Sequence, residues 1–138
     1  MPDEVVVSGA GPLPAGAARA AAGHVLAAEG RQAALSIAFL DADAMQALNR
    51  EYKGHDRPTD VLAFALPLPD GRLTGDIYIC PTVAADAATA HGVTLREELL
   101  RLVVHGTLHV LGWDHPETDE RERSPMWQRQ EQYLRELA

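Results

Sequence analysis

The chain has 138 residues, a mass of 14.9 kDa and a formal net charge of −8, which bounds it to one domain large enough to bury a core. Its 46% hydrophobic and 23% charged residues are ordinary for a soluble globular protein, and no stretch approaches the roughly 18–20 consecutive apolar residues of a membrane span. The acidic balance excludes indiscriminate coating of nucleic acid, DNA included, because that requires clustered cations.

Val5–Val7 opens the chain as a short strand. Pro12 and Pro14 then punctuate the entry to an alanine-rich helix, from about Ala15 to Ala28, that Gly30 ends. The run Ala34–Leu40 reads as a second strand, and Asp41 or Asp43 caps a helix reaching about Tyr52. Val61–Ala65 and Asp76–Ile79 are two further strands joined by the Pro69-Asp70-Gly71 turn signal. A helix from about Thr82 to Ala90 follows, closed by His91-Gly92. Thr94 and Glu97 are spaced as a capping box for the next helix, whose apolar positions Leu95, Leu99, Leu102, Val103 and Leu108 form one buried face. After Pro116 a last amphipathic helix runs through Met126, Trp127, Tyr133, Leu134 and Leu137, with Ser124-Pro125 at its start. Strands interleaved with helices predict an α/β or α+β domain with one small sheet.

Three of the six histidines lie in the run His105-Gly-Thr-Leu-His109-Val-Leu-Gly112-Trp-Asp-His115. Residues four apart on a helix share a face, close enough for two imidazoles to hold one ion. Gly112 can turn the chain in the left-handed region and return His115 to the pair. Three neutral nitrogens without a fourth protein ligand describe a catalytic zinc site with an open position, whereas structural sites are usually closed by cysteines. The one cysteine, Cys80, is far away in sequence and reads as a small buried hydrophobe. A lone cysteine also precludes an internal disulfide, and the acidic start Met1-Pro2-Asp3-Glu4 is unlike a secretion signal. Both point to a reducing cytoplasm.

The spacing is also that of zinc proteases in which Glu follows the first histidine as general base. Here that position is Gly106, which disfavours peptide hydrolysis. Its missing side chain is expected to leave room for a bulky substrate group beside the metal. Charge is uneven: Glu117, Asp119, Glu120, Glu122, Glu131 and Glu136 follow the motif, while Arg50, Lys53, His55 and Arg57 form a local basic lip that could hold a phosphate chain.

The run His105–His115 resembles the signature of the YbeY family. Two further blocks, Leu48–Phe64 and Gly75-Asp-Ile-Tyr-Ile79, are similar to the family's other recurrent segments and occur in the same order. The resemblance implies a single zincin-like α+β domain spanning residues 1–138, with one zinc ion on His105, His109 and His115. It implies an endoribonuclease acting on single-stranded RNA, with roles in maturing the 3′ end of small-subunit ribosomal RNA and in ribosome quality control. The ribosome or its proteins are then the expected partners. Lys53 is the expected catalytic cation, stabilising charge on the phosphate. It stands where the family usually has arginine, keeping the charge but losing the planar fork. Ala63 stands where the family commonly has serine.

Asp114 reads either as the acceptor of a ligand imidazole N–H or as an ordinary turn acid. Trp113 is expected to pack in the core rather than stack on a base, His55 to sit in a solvated loop, and His24 and His91 to be incidental. Two other function classes remain: a ribosome-associated binding module with a zinc site and little catalysis, and a zinc peptidase.

Overall fold

A computed structural model describes residues 4–9, 11–116 and 119–137. The elements in order are β1 (Glu4–Ser8), α1 (Ala15–Glu29), β2 (Ala34–Phe39), α2 (Ala42–Lys53), β3 (Val61–Pro67), β4 (Leu73–Ile79), α3 (Pro81–His91), α4 (Leu95–Val110), a 3-10 helix (Asp119–Arg123) and α5 (Pro125–Leu137). The four strands form one mixed sheet in the order β1-β2-β4-β3. β1 and β4 run parallel to β2, and β3 is antiparallel to β4. This is the small mixed α+β architecture anticipated above.

The helix boundaries have local causes. Asp41 caps α2, its carboxylate accepting from the Ala44 N–H at 2.8 Å. The Thr94 hydroxyl accepts from the Glu97 N–H at 3.1 Å, one half of the capping box, while the Glu97 carboxylate pairs with Arg101 instead. The Ser124 hydroxyl accepts from the Trp127 N–H and starts α5. Helix α3 begins at Pro81, one residue before the expected Thr82, because proline suits the first helical position, where its missing N–H costs nothing. The 3-10 helix had no sequence signal strong enough to place it. Of the acidic run after the histidine motif, Glu117 lies outside the described residues.

Strand β4 begins at Leu73, three residues earlier than the apolar pattern suggested. Gly75 obscured its start, since glycine reads as a breaker in a strand. Its role is close approach. A Cβ at Gly75 would lie 2.5 Å from Val110 Cγ1, and one at Gly106 would lie 2.7 Å from Ile77 Cγ2. Helix α4 and strand β4 thus exchange a peg and a notch in each direction. The expectation that Gly106 makes room for substrate is corrected here: the space is filled by Ile77 of the core.

Helix α4 is the central element. It packs against β3 and β4 and also against α1, α3 and α5. Ala18, Ala21 and Ala22 are fully buried on α1, whose small side chains permit a close helix contact. Leu26, Ile37, Ile77, Leu99 and Val103 share that core with them, each large aliphatic side chain contributing about 1.5–3 kcal/mol on full burial. A second cluster of Val25, Val104, Leu108, Met126 and Tyr133 joins α1, α4 and α5. A third, Met45 with Leu62 and Cys80, seats α2 beside β3 and confirms Cys80 as a buried hydrophobe.

Candidate metal centre and cleft

His105 and His109 lie on the last two turns of α4. The helix closes at Leu111, Gly112 adopts φ +101°, and the Trp113 N–H bonds back to the Leu108 carbonyl at 3.1 Å. That reversal carries His115 back to the helix end. The three imidazole centroids stand 5.8 Å (His105–His109), 5.0 Å (His105–His115) and 5.8 Å (His109–His115) apart.

Among the described residues no group of three or more His, Cys, Asp or Glu side chains stands, as placed, in a position to hold a metal ion. The ring spacing is nevertheless near what one ion demands: with Zn–N bonds of about 2 Å and tetrahedral angles, imidazole centroids lie about 5 Å apart. A small inward movement of the rings would close the set.

The hydrogen bonds decide which nitrogens can bind. His109 Nδ1 donates to the Trp113 carbonyl at 2.9 Å and His115 Nδ1 to the Pro116 carbonyl at 3.0 Å. Carbonyl oxygens only accept, so both rings carry their proton on Nδ1. His105 Nδ1 lies 2.7 Å from Gln130 Oε1. The amide nitrogen of Gln130 donates to Glu131, which orients the oxygen toward the ring. In its neutral form each ring therefore presents an unprotonated Nε2, the form that ligates a cation. Burial pulls the His105 pKa down to about 4 against the Gln130 hydrogen bond, and the charges of Arg121 and the neighbouring histidines push the same way. A ligand must be neutral, and His105 is kept so.

Asp114 does not accept an imidazole N–H. Its carboxylate accepts from the His115 backbone N–H at 2.8 Å, which is the turn role. Gln130 and the two carbonyls orient the rings instead.

The triad opens into a cleft of about 510 Å³ whose lining also includes Lys53, His55, Arg57, Asp60, Ala63, Asp114 and Arg121. Lys53 ends α2, and its ammonium lies 5.8 Å from the centroid of the Phe64 ring. The loop after it is pinned, because buried Asn49 donates from its amide to the Arg57 carbonyl at 2.9 Å and the Cys80 N–H donates to the Asp60 carbonyl at 2.9 Å. The two segments singled out in the sequence therefore meet at one site. Arg50 is exposed and pairs with Asp56, outside the cleft lining. His24 lies elsewhere, bonded to Glu136, and His91 is exposed at the end of α3. Trp113 packs beside the second core cluster, its indole N–H donating to Glu29 at 2.7 Å.

Sequence reasoning missed Gln130, Glu29 and Arg121. The first two act from 25 and 84 positions away, and no local pattern marks such partners. Arg121 was hidden in an acidic run.

A family model described as endoribonuclease YbeY matches residues 16–138. An endoribonuclease YbeY of Chromohalobacter salexigens is 46% identical over 95 residues, covering 67% of this chain and 60% of that protein. One from Stenotrophomonas maltophilia is 41% identical over 115 residues, covering 78% of this chain and 70% of that protein. The solution structure of a Thermotoga maritima protein is 30% identical, with a TM-score of 0.68, and covers 96% of this chain and 88% of that one. The match thus spans less than two thirds of the Chromohalobacter protein's length. By sequence and by fold alike, the chain belongs to the YbeY endoribonuclease family.

Proposed function

We propose that the chain is a zinc-dependent endoribonuclease for single-stranded RNA, acting in the cytoplasm on the 3′ end of small-subunit ribosomal RNA and in ribosome quality control. The observation that carries this reading is the meeting, in one cleft, of three Nδ1-protonated histidines and Lys53. His105, His109 and His115 would hold the ion through Nε2. A zinc ion held there would supply Lewis acidity toward a phosphate oxygen.

The remaining work falls to the chain. Lys53 offsets the negative charge that builds on the phosphate in the transition state. Arg57 adds a second cation from the pinned loop. The ring carrying Gln130's hydrogen bond stays neutral and fixed, so the ligand geometry does not drift during turnover. The nucleophile is water or the RNA's own 2′-hydroxyl, and product ends separate the two: a 2′,3′-cyclic phosphate marks internal attack.

Position 106 points into the sheet at Ile77. A carboxylate there could not reach the cleft, which weighs against a peptidase on this helix.

The test is cleavage of a defined single-stranded RNA by zinc-loaded wild type beside His109→Ala purified identically. Cleavage by wild type alone supports the reading. Tight RNA binding without turnover in either protein favours a ribosome-associated binding module instead.

A further inference from the structure

The cleft receives positive charge from two separate segments. Lys53 and Arg57 come from α2 and the loop after it, and Arg121 comes from the 3-10 helix beyond the histidine motif. Arg121 is unusual in its bonding. Its Nε is buried and has no hydrogen-bond partner among the described residues. Such a donor ordinarily finds an acceptor in a folded protein, so no bond to a described residue at that atom accounts for the placement of this cation. The guanidinium carbon sits 6.0 Å from the Trp127 ring centroid, a contact that orients the group without neutralising it. Arg121, with Asp60 and His105, also lines an adjoining cavity of about 140 Å³. The cation therefore stands where the cleft continues past the triad.

We propose that Arg121 grips a second backbone phosphate of the bound RNA, next to the one at the triad and Lys53. A planar guanidinium suits phosphate oxygens through paired N–H donors. A chain with net charge −8 needs such local cations to hold a polyanion. The inference rests on the reading of the cleft as an RNA site. It goes beyond that reading by assigning a minimum substrate of two consecutive phosphates and the residue that selects it.

The experiment measures fluorescence anisotropy of a labelled 2′-O-methyl octaribonucleotide against zinc-loaded protein across a salt series. Wild type is compared with Arg121→Met, which keeps the stem's packing, with Arg121→Lys, and with Arg123→Met, an exposed neighbour outside the cleft lining. Thermal melts of all four establish that they are folded. The proposal expects Arg121→Met to bind about tenfold more weakly and to lower the magnitude of the log–log salt slope by about 0.7, one phosphate contact on a single strand. Arg121→Lys should keep the slope, and Arg123→Met should match wild type. A second arm replaces a single linkage of the probe, in turn along its length, by an uncharged methylphosphonate. At one position the substitution should weaken wild type and leave Arg121→Met unchanged.

Equal affinity and slope in wild type and Arg121→Met would overturn the assignment of Arg121 while leaving the RNA site standing. Equal losses in Arg121→Met and Arg123→Met would also overturn it, since a general charge effect would then suffice. Failure of wild type itself to bind the probe would overturn the RNA site along with it.

Discussion

Glu29, the last residue of α1, accepts the indole N–H of Trp113 at 2.7 Å across 84 positions of sequence. The same carboxylate accepts from the Tyr133 hydroxyl and from Arg129. Trp113 in turn offers its carbonyl to His109. A carboxylate at the end of the first helix thus fixes the backbone that orients a candidate metal ligand. Glu29→Ala is expected to destabilise the fold by about 1–3 kcal/mol by leaving the buried Tyr133 hydroxyl and the half-buried Trp113 indole without their acceptor. It should also weaken zinc binding by less than the roughly tenfold lower bound for direct partners of a ligand. Urea melts and competition with a chromophoric chelator measure the two effects.

Gln130 touches a ligand directly. It is 1% exposed, so its replacement leaves His105 Nδ1 without an acceptor in a dry environment. Gln130→Leu keeps the volume and removes the bond, with an expected loss of about 10–100-fold in zinc affinity. Unchanged affinity would mean that the ring is held by packing alone.

Gly106→Ala sets two effects against each other. Alanine favours the helix by about 1 kcal/mol, but its Cβ would meet a β-branched core residue at 2.7 Å. Overpacking of that kind costs about 1–3 kcal/mol, and a buried isoleucine has little freedom to give way, so net destabilisation is expected. The decisive measurement is a double-mutant cycle with Ile77→Ala, which removes the atom in the way. The pair should be less destabilised than the sum of the singles, by about 0.5–3 kcal/mol.

Arg101 clamps α4 to α5, reaching Glu131 at 2.9 Å, Glu97 at 3.1 Å and Glu98 at 3.3 Å. Burial would raise the Glu131 carboxyl, but the hydrogen bonds of Arg101 and Gln130 outweigh it and hold it below the usual value. Burial raises Glu98 in spite of Arg101's charge. The signs follow. Glu131 contributes stability that is present above its unfolded pKa and lost as pH falls through the depressed folded value. Glu98 does the reverse, its cost being relieved as pH falls and it protonates. Arg101→Met should cost about 3 kcal/mol at neutral pH, because buried Glu98 loses its cation and partly exposed Glu131 loses its two hydrogen bonds. Relative to wild type, the variant should regain stability between about pH 7 and pH 4.5. Urea denaturation of both proteins at the two ends of that range checks the regain, and the Glu131 loss in wild type is sought below it.

The histidine motif was legible because its geometry is local. Spacing on one helix, and a glycine where the chain must reverse, place three rings together without knowledge of any other element. The lysine block was legible by resemblance, and the structure brings it to the same cleft. The orienting partners were not legible. Gln130 and Glu29 are ordinary polar residues whose meaning comes from the packing of α5 and α1 on α4, and sequence carries no signal for that packing. Asp114 was open between two roles in the sequence, and the turn role holds because an acid beside a histidine has a backbone N–H within easier reach than the neighbouring ring. Gly106 was read from its helix alone, while the reason for it lies on β4.

The peg-and-notch contacts of Gly75 with Val110 and of Gly106 with Ile77 bear on whether the motif can be transplanted. A methyl group in either notch would start only 2.5–2.7 Å from its neighbour and would have to move toward the ordinary 3.4–4 Å, lifting the helix by about an ångström in a closely packed interior. His105 and His109 ride on that helix, whereas Lys53 does not. Grafted onto another helix over a sheet without the facing glycine, the same eleven residues would therefore carry their ligands at the wrong height above the strand. The portable unit is the helix together with the strand beneath it.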